Sequence, residues 1–253
     1  MKNLIRRFRQ VSSLLGLLQK GGVESQLRSR YSEADELEYY SRTAFDGFDT
    51  YEQQLLDSEV KNVPLSIVVL GCGGGREVLA FQKKYPKALV HGFDISPGMI
   101  ERARQNKGEF FVGDQGALSR SYDLIWVSAS IESHIQGRRC RVQFFNRLRS
   151  KLKLKGKIIL SPLIRPLGRG TTRHLGSLLL KWSRFQDWEQ GDSFQSYWGG
   201  HTQSSTLVFC HFYPSPQDFA GEVLESRLSG RVSSLSQKDF CVLENLNDVF
   251  QIT

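Results

Sequence analysis

The sequence predicts an α/β fold: a doubly wound, mostly parallel seven-stranded sheet with an antiparallel C-terminal hairpin and an N-terminal helical cap. Three observations predict it. Short apolar runs alternate with helical segments from Pro64 onward, as in successive strand and helix units of a parallel sheet. The first of these runs ends in a glycine-rich turn that opens a helix. Two more apolar runs, 232–235 and 240–243, lie close together near the C-terminus, as the two strands of a hairpin do.

The apolar runs identify the strands, and the segments between them the helices. Residues 65–70 (LSIVVL) are continuously apolar, which is typical of a strand buried on both faces of a parallel sheet. Further strands are predicted at 88–93, 109–112, 123–127 and 157–160, and helices at 76–84, 97–106, 141–152 and 216–226.

Two flanking segments differ from this alternation. Residues 1–20 have the spacing of a basic amphipathic helix, which leaves open a cap helix, a membrane-surface helix or an organelle presequence. Together with the helical segment 31–60 they predict a cap over 1–60, before a main domain over 61–253. Within that domain, 163–213 is aromatic and aperiodic, and we expect it to form an insertion on the substrate side.

Composition limits the classes of protein that the chain can belong to. At 253 residues with 40% apolar residues, it is long enough to bury a sizeable core. Its four cysteines are far apart, which argues against a disulfide framework or a zinc site, so no metal is predicted. Without an apolar run of membrane-spanning length or a secretory signal, the sequence leads us to expect a soluble, cytoplasmic protein.

The net charge of +8 raises the question of an anionic partner. From Arg138 to Arg173 there is no acidic residue, whereas the segment from Glu33 to Glu59 is strongly acidic. Such patches face solvent or each other, or one of them binds a partner. Nucleic acid is therefore a possible partner, although it is not the favoured one.

The motif that carries chemistry is a G-x-G-x-G turn at Gly71, Gly73 and Gly75. Glycines between a strand and a helix let backbone N–H groups approach a ligand closely. Asp94 follows Gly75 by 19 positions, at the end of the next predicted strand, where a carboxylate can accept hydrogen bonds from ribose hydroxyls. The unit predicts a site for an adenosine-containing ligand. Arg76 stands where a dinucleotide fingerprint requires glycine, which disfavours a nicotinamide oxidoreductase.

Over residues 65–161 the chain resembles the class I S-adenosylmethionine-dependent methyltransferases. The glycine turn carries this resemblance together with four further motifs: 92–100 (GFDISPGMI), Gly113-Asp114, 121–125 (SYDLI) and 152–160 (LKLKGKIIL). The resemblance implies a Rossmann-like fold, S-adenosyl-L-methionine as cofactor and transfer of its methyl group to a small-molecule acceptor, at oxygen or nitrogen.

The resemblance also implies roles for individual residues. Gly71, Gly73 and Gly75 would line the methionine moiety, Asp94 would bind the ribose, and Ile95 would cover one face of the adenine. The remaining cofactor-binding positions are Asp114 at the adenine amino group, Ser128 at the exposed side of the cofactor, and Cys72 and Gln115 beside them.

One position departs from the family pattern. The family often has an acid two residues before the first glycine, where this chain has Val69. Glu77 or a residue of the cap is the candidate replacement for holding the cofactor's amino group.

His134 is the candidate general base or acceptor contact, because it follows the fourth strand, in a region that faces the methyl group in this family. His91 lies inside a strand and is expected to pack, while His201 and His211 flank the insertion. Two alternatives remain: an RNA-directed methyltransferase, and a catalytically weak methyltransferase-like scaffold. The oligomeric state is not predicted.

Overall fold

The computed structural model describes residues 22–128, 130–165, 189–198, 202–235 and 238–245. The amphipathic helix predicted for 1–20 lies outside these ranges, as does the part of the insertion that holds Trp182 and Trp188. The helices are α1 (Gly22–Arg30), α2 (Ala34–Arg42), α3 (Thr50–Glu59), α4 (Arg76–Lys84), α5 (Pro97–Ala103), α6 (Arg138–Ser150) and α7 (Pro216–Glu225). The strands are β1 (Ser66–Leu70), β2 (Leu89–Asp94), β3 (Glu109–Val112), β4 (Tyr122–Val127), β5 (Leu152–Leu160), β6 (Asp192–Trp198), β7 (Thr202–His211), β8 (Leu228–Leu235) and β9 (Lys238–Asn245).

Seven of the strands form one sheet in the order β3-β2-β1-β4-β5-β9-β8. The first five are parallel, and β9 joins them antiparallel to both β5 and β8. The strand order reverses between β1 and β4, so their carboxyl ends border the crevice in which open α/β sheets bind ligands. The predicted mostly parallel seven-stranded sheet with a C-terminal hairpin is confirmed.

Helices cover both faces of this sheet. On one face Leu55 of α3, Phe81 of α4 and Ile100 of α5 pack against Val69 and Trp126. On the other face α6 and α7 contribute the buried side chains of Phe144, Phe145, Leu148, Phe219 and Val223. Burial on both faces explains why β1 is apolar at every position except Ser66.

The fifth strand begins earlier than predicted, at Leu152 rather than Lys157. The pairing of β5 with β4 jumps from Tyr122 and Leu152 to Leu124 and Lys157, so residues 153–156 form a bulge within the strand. Lys155, which has a φ of 59°, makes this bulge possible. The residues of this bulge are typical of a turn, and the sequence therefore predicted a turn followed by a shorter strand.

Two further units flank the sheet. Helices α1 to α3 precede β1, and β6 and β7 form a separate antiparallel hairpin within the predicted insertion. Helix α1 packs against β7, so the two units meet. The division of the chain at residue 60 stays a prediction. None of the described helices has both the length and the apolar character needed to cross a membrane.

A buried ion-pair network joins the hairpin to helices α6 and α7. Arg141 of α6 is fully buried and donates from Nε and Nη2 to Glu222 of α7, at 2.9 and 2.6 Å. Its Nη2 also donates to Glu189, just before β6, at 2.5 Å. Tyr213 adds a hydroxyl hydrogen bond to Glu222 at 3.1 Å. One guanidinium therefore connects α6, α7 and the start of the hairpin.

We predict that Arg141→Gln destabilises the fold by about 3–5 kcal/mol, because it removes the buried charge partner of Glu222 and leaves only the more exposed Arg138, at 3.6 Å. Arg139→Gln is the matched control, since Arg139 is exposed on the same helix. Urea unfolding at pH 7 measures both free energies. Equal unfolding midpoints for the two variants would contradict the structural role of Arg141.

Candidate active site

The glycine loop connects β1 to α4 and is fixed to the end of β2. The backbone N–H groups of Gly71 and Cys72 both donate to the carbonyl oxygen of Phe93, at 2.8 and 3.0 Å. Gly71, Gly73 and Gly75 have φ angles of 71°, 50° and 100°, a region that only glycine adopts without strain. The loop thus requires glycine at all three positions of the motif.

Asp94 lies at the end of β2, directly behind this loop. Its Oδ2 accepts from the N–H of Gly73 at 2.9 Å, and its Oδ1 accepts from the N–H of Ser96 at 2.8 Å. Burial raises the pKa of the Asp94 carboxyl, and these backbone hydrogen bonds partly oppose the rise. The carboxylate therefore holds the loop while one side of it faces a cavity.

This first cavity has a volume of about 520 Å³, within the range of about 300–1,000 Å³ that is usual for ligand pockets. It brings together seven of the residues singled out from the sequence. They are Gly71, Gly73, Asp94, Ile95, Asp114, Gln115 and His134. The cavity lies at the carboxyl ends of β1 and β2, where the sequence placed the adenosine-containing ligand.

Three other predicted residues do not line the first cavity. Cys72 is buried in the core between the sheet and α4, and a side chain on Gly75 would contact the ring of Phe110 at 3.0 Å. Ser128 lines a second cavity, and its buried hydroxyl has no hydrogen-bond partner among the described residues. Cys72 also borders the second cavity, whereas Gly75 is fitted to Phe110. Ser128 faces the opposite side of the loop.

Helices α1 and α2 form a roof over the loop. A side chain on Gly73 would approach the ring of Tyr40 to 3.3 Å, and one on Gly74 would lie 2.2 Å from the backbone oxygen of Tyr40. Arg28 donates to the carbonyl oxygen of Ile95 at 2.5 Å. The sequence did not identify these roof residues individually. For Tyr40 the signal was the aromatic and helical character of the segment 31–60, and Arg28 lies before that segment.

His134 lies in the 3-10 turn Ile131–His134, which follows β4. Its Nδ1 is 2.7 Å from the carbonyl oxygen of Phe209 on β7. Because a carbonyl only accepts, Nδ1 carries the proton, and the neutral ring presents a lone pair at Nε2. Burial lowers the pKa of His134 to about 4, so the ring is neutral at pH 7. Of the other histidines, His91 is buried against the Tyr122 hydroxyl at 2.9 Å, as expected for a packing residue.

The same turn holds a buried carboxyl. Glu132 is fully buried, and neither of its oxygens has a hydrogen-bond partner in the part of the chain that the structure describes. Burial raises its pKa to about 8, since the nearby charge of Arg141 only partly offsets the cost of desolvation. The carboxyl is therefore mostly protonated at pH 7.

Three groups beside this turn have the spacing of metal ligands: Glu189, His211 and Glu222, whose ligand atoms lie within 4.8 Å of one another. Arg141, however, already donates to both glutamates, and His211 Nδ1 is 2.6 Å from Asp192. The guanidinium occupies the carboxylate oxygens that a cation would need. We interpret the cluster as an ion-pair network.

The second cavity lies on the other side of Gly71 and Gly73 and has a volume of about 670 Å³. Its floor is the carboxyl ends of β4 and β5, with Ser128 and Ser161. Glu52 of α3 and the first turn of α4 form a charged wall. Gly71, Gly73 and Tyr40 line both cavities, so the two meet at the glycine loop.

Comparison with known proteins agrees with this arrangement. Residues 67–156 match a family model described as a methyltransferase domain. Over 131 residues the chain is 33% identical to a malonyl-[acyl-carrier protein] O-methyltransferase of Priestia megaterium, covering 48% of this chain and 44% of that protein. The chain thus spans less than half the length of this protein and of a second malonyl-[acyl-carrier protein] O-methyltransferase that it matches.

Solved structures share the fold at low sequence identity. One is an amino pentose methyltransferase from Micromonospora echinaspora, with 12% identity and a TM-score of 0.55, covering 84% of this chain and 97% of that one. Another is a putative O-methyltransferase from Nostoc punctiforme, with 15% identity and a TM-score of 0.57, covering 92% of this chain and 66% of that one.

We predict that Glu132→Gln flattens the pH dependence of stability. A carboxyl whose pKa is raised on folding adds its full contribution to the free energy of unfolding at pH values below the unfolded pKa. That contribution is lost as the pH rises toward the folded pKa of about 8. For Glu132 that loss is on the order of 3 kcal/mol by pH 7. The variant should match the wild type near pH 5 and exceed it at pH 8 in urea unfolding.

The exposed Glu38 of α2 supplies the control for this experiment, because Glu38→Gln should leave the pH profile unchanged. A Glu132→Gln profile parallel to that of the wild type between pH 5 and pH 8 would show that the carboxyl does not titrate as the structure implies.

Proposed function

We propose that this chain, which has the fold of the class I S-adenosylmethionine-dependent methyltransferases, is an enzyme that transfers a methyl group from S-adenosyl-L-methionine to an oxygen or nitrogen atom of a small-molecule acceptor. The observation that carries the proposal is the position of Asp94. Its carboxylate lies behind the glycine loop and lines the first cavity beside Ile95 and Asp114.

The residues present fit this cofactor. Asp94 offers carboxylate oxygens to the ribose hydroxyls, and Ile95 offers an apolar surface to the adenine ring. Asp114 and Gln115 line the same cavity and offer polar groups to the adenine amino group. Gly71 and Gly73 line both cavities without a side chain, so the loop leaves room for the methionine moiety to pass beside it.

The bound cofactor would supply a methyl group on a sulfonium, which is already an activated leaving group. The chain then has to position the acceptor and exclude water, and both of these lower the barrier. Tyr31 and Tyr40 of the roof line the first cavity and shield it. His134 lines it too, and we assign its neutral ring the role of contacting the acceptor.

A small-molecule acceptor is favoured over nucleic acid by the ion pairs of the basic segment. Several of its cations are engaged with acids from elsewhere in the chain. They are Arg138 with Glu225, Arg141 with Glu222, Lys153 with Asp123, and Lys157 with Glu59 and Glu244. The first curated relatives are named for an acceptor carried on acyl-carrier protein, which also favours a small acceptor group.

We expect the protein to bind S-adenosylhomocysteine, and Asp94→Asn to weaken that binding by about tenfold to a hundredfold. The amide keeps an oxygen for the Gly73 N–H but loses the charge that strengthens hydrogen bonds to the ribose, a difference of roughly 1.5–3 kcal/mol. Calorimetric titration of both proteins measures it.

Asp57→Asn is the control, because Asp57 is an exposed carboxylate on α3, remote from the cavity. NAD serves as the ligand control and should not bind. Failure of the wild type to bind S-adenosylhomocysteine, or equal affinity of the wild type and Asp94→Asn, would count against the proposed site.

A further inference from the structure

The charged lining of the second cavity includes Asp46 and Asp49 and, at the start of α4 and on α3, a cluster of three side chains. Arg76 donates from Nη1 and Nη2 to the two carboxylate oxygens of Glu52, at 2.8 and 2.7 Å. Its Nη2 also donates to Oε1 of Glu77 at 2.8 Å. The remaining hydrogen bond of Nη1 goes to the carbonyl oxygen of Gly47 at 2.8 Å. One guanidinium therefore serves two carboxylates.

Both of these carboxylates are buried, with residue exposures of 5% for Glu52 and 8% for Glu77. Arg76 is the single lysine or arginine among the described residues that line the cavity. The cluster therefore has an excess negative charge in a place where water screens it poorly. Consistent with this, burial and the charge of Glu52 raise the pKa of Glu77, against the lowering effect of Arg76. A bound cation would neutralise the excess.

The cluster lies where a cationic group of the proposed cofactor would reach. Glu77 lines the second cavity together with Gly71, Gly73 and Gly74, on the side of the loop away from Asp94. The adenosine-binding residues lie on the other side, in the first cavity. A ligand that crosses the loop from one cavity to the other would carry its amino-acid end toward Glu77.

The end of β1 offers no acid for this purpose. Val69 is fully buried and packs in the core between the sheet and helices α3, α4 and α5. Val69 is not among the residues that line the cavity. A carboxylate that binds an ammonium group would therefore have to come from another element.

We propose that Glu77, at the start of α4, binds the ammonium group at the amino-acid end of the cofactor. It thereby takes the place of an acidic residue at position 69, where this chain has Val69. The inference rests on the proposed function, since it concerns the same cofactor. Arg76 acts as a positioning residue, because its hydrogen bond to Oε1 fixes the carboxylate of Glu77 at the cavity wall.

The test compares two ligands that differ in the amino-acid end. S-adenosylhomocysteine carries the ammonium, whereas 5′-methylthioadenosine has the same adenosine and thioether without an amino acid. We expect Glu77→Gln to weaken binding of S-adenosylhomocysteine about tenfold or more, and to leave binding of 5′-methylthioadenosine unchanged, in calorimetric titrations. Glu101→Gln, an exposed substitution on α5, should change neither.

A merely structural role for Glu77 would weaken both ligands equally, and this result would overturn the inference. Unchanged binding of S-adenosylhomocysteine to Glu77→Gln would overturn it as well. If the wild type bound neither ligand, the proposed function itself would fail, so the two failures are distinguishable.

A measurement on the wild type alone covers the case in which Glu77→Gln does not fold. S-adenosylhomocysteine that lacks its α-amino group should bind the wild type about tenfold more weakly than the parent compound. Equal affinity for the two compounds would show that no side chain of the chain recognises the ammonium, and would overturn the inference.

Discussion

The hydrogen bond from the Gly73 N–H to the Asp94 carboxylate is the contact on which the rest of the site depends. It joins the turn after β1 to the end of β2, and the two N–H groups that donate to the Phe93 carbonyl oxygen strengthen the same connection. Because Asp94 also accepts from Ser96 at the start of α5, one carboxylate orders a loop, a strand end and a helix start. The groups that would bind a ligand are thus preorganised by the groups that hold the fold together.

The roof is fitted to the same loop. A methyl group at position 74 would collide with the backbone oxygen of Tyr40, and one at position 71 would lie 2.7 Å from Ile131. The absence of side chains therefore lets α2 approach from one side and the turn after β4 from the other. Glycine acts here through the space it leaves to two other segments, in addition to the positive φ angles of the loop. The ring of Tyr40 consequently borders both cavities, at the point where they meet.

The sequence predicted the elements of the main sheet. It did not predict strands β6 and β7 of the insertion, or the contacts that bring distant elements together. Alternating apolar runs identify the strands, because burial on both faces leaves a local signal. The glycines and Asp94 are local in the same sense, since they lie at strand ends. The contact of Tyr40 with the loop, the position of Glu189 beside Arg141 and the low pKa of His134 all depend on contacts between segments far apart in the chain. The spacing of residues along the chain does not predict such contacts, even though Tyr40 and Glu189 themselves can be read from the sequence.

Charge illustrates this limit most clearly. The net charge of +8 and the acid-free segment from Arg138 to Arg173 suggest an anionic partner when they are read as composition. In the fold, Arg141 is fully buried between two glutamates, and Lys157 joins acids of α3 and β9. The wall of the second cavity has the opposite sign, with two buried carboxylates sharing Arg76. Selectivity for a ligand depends on the charge that lines its cavity, because surface charges are screened within about 10 Å. The part of this protein that would meet the cofactor's amino-acid end is therefore acidic, although the chain as a whole is basic.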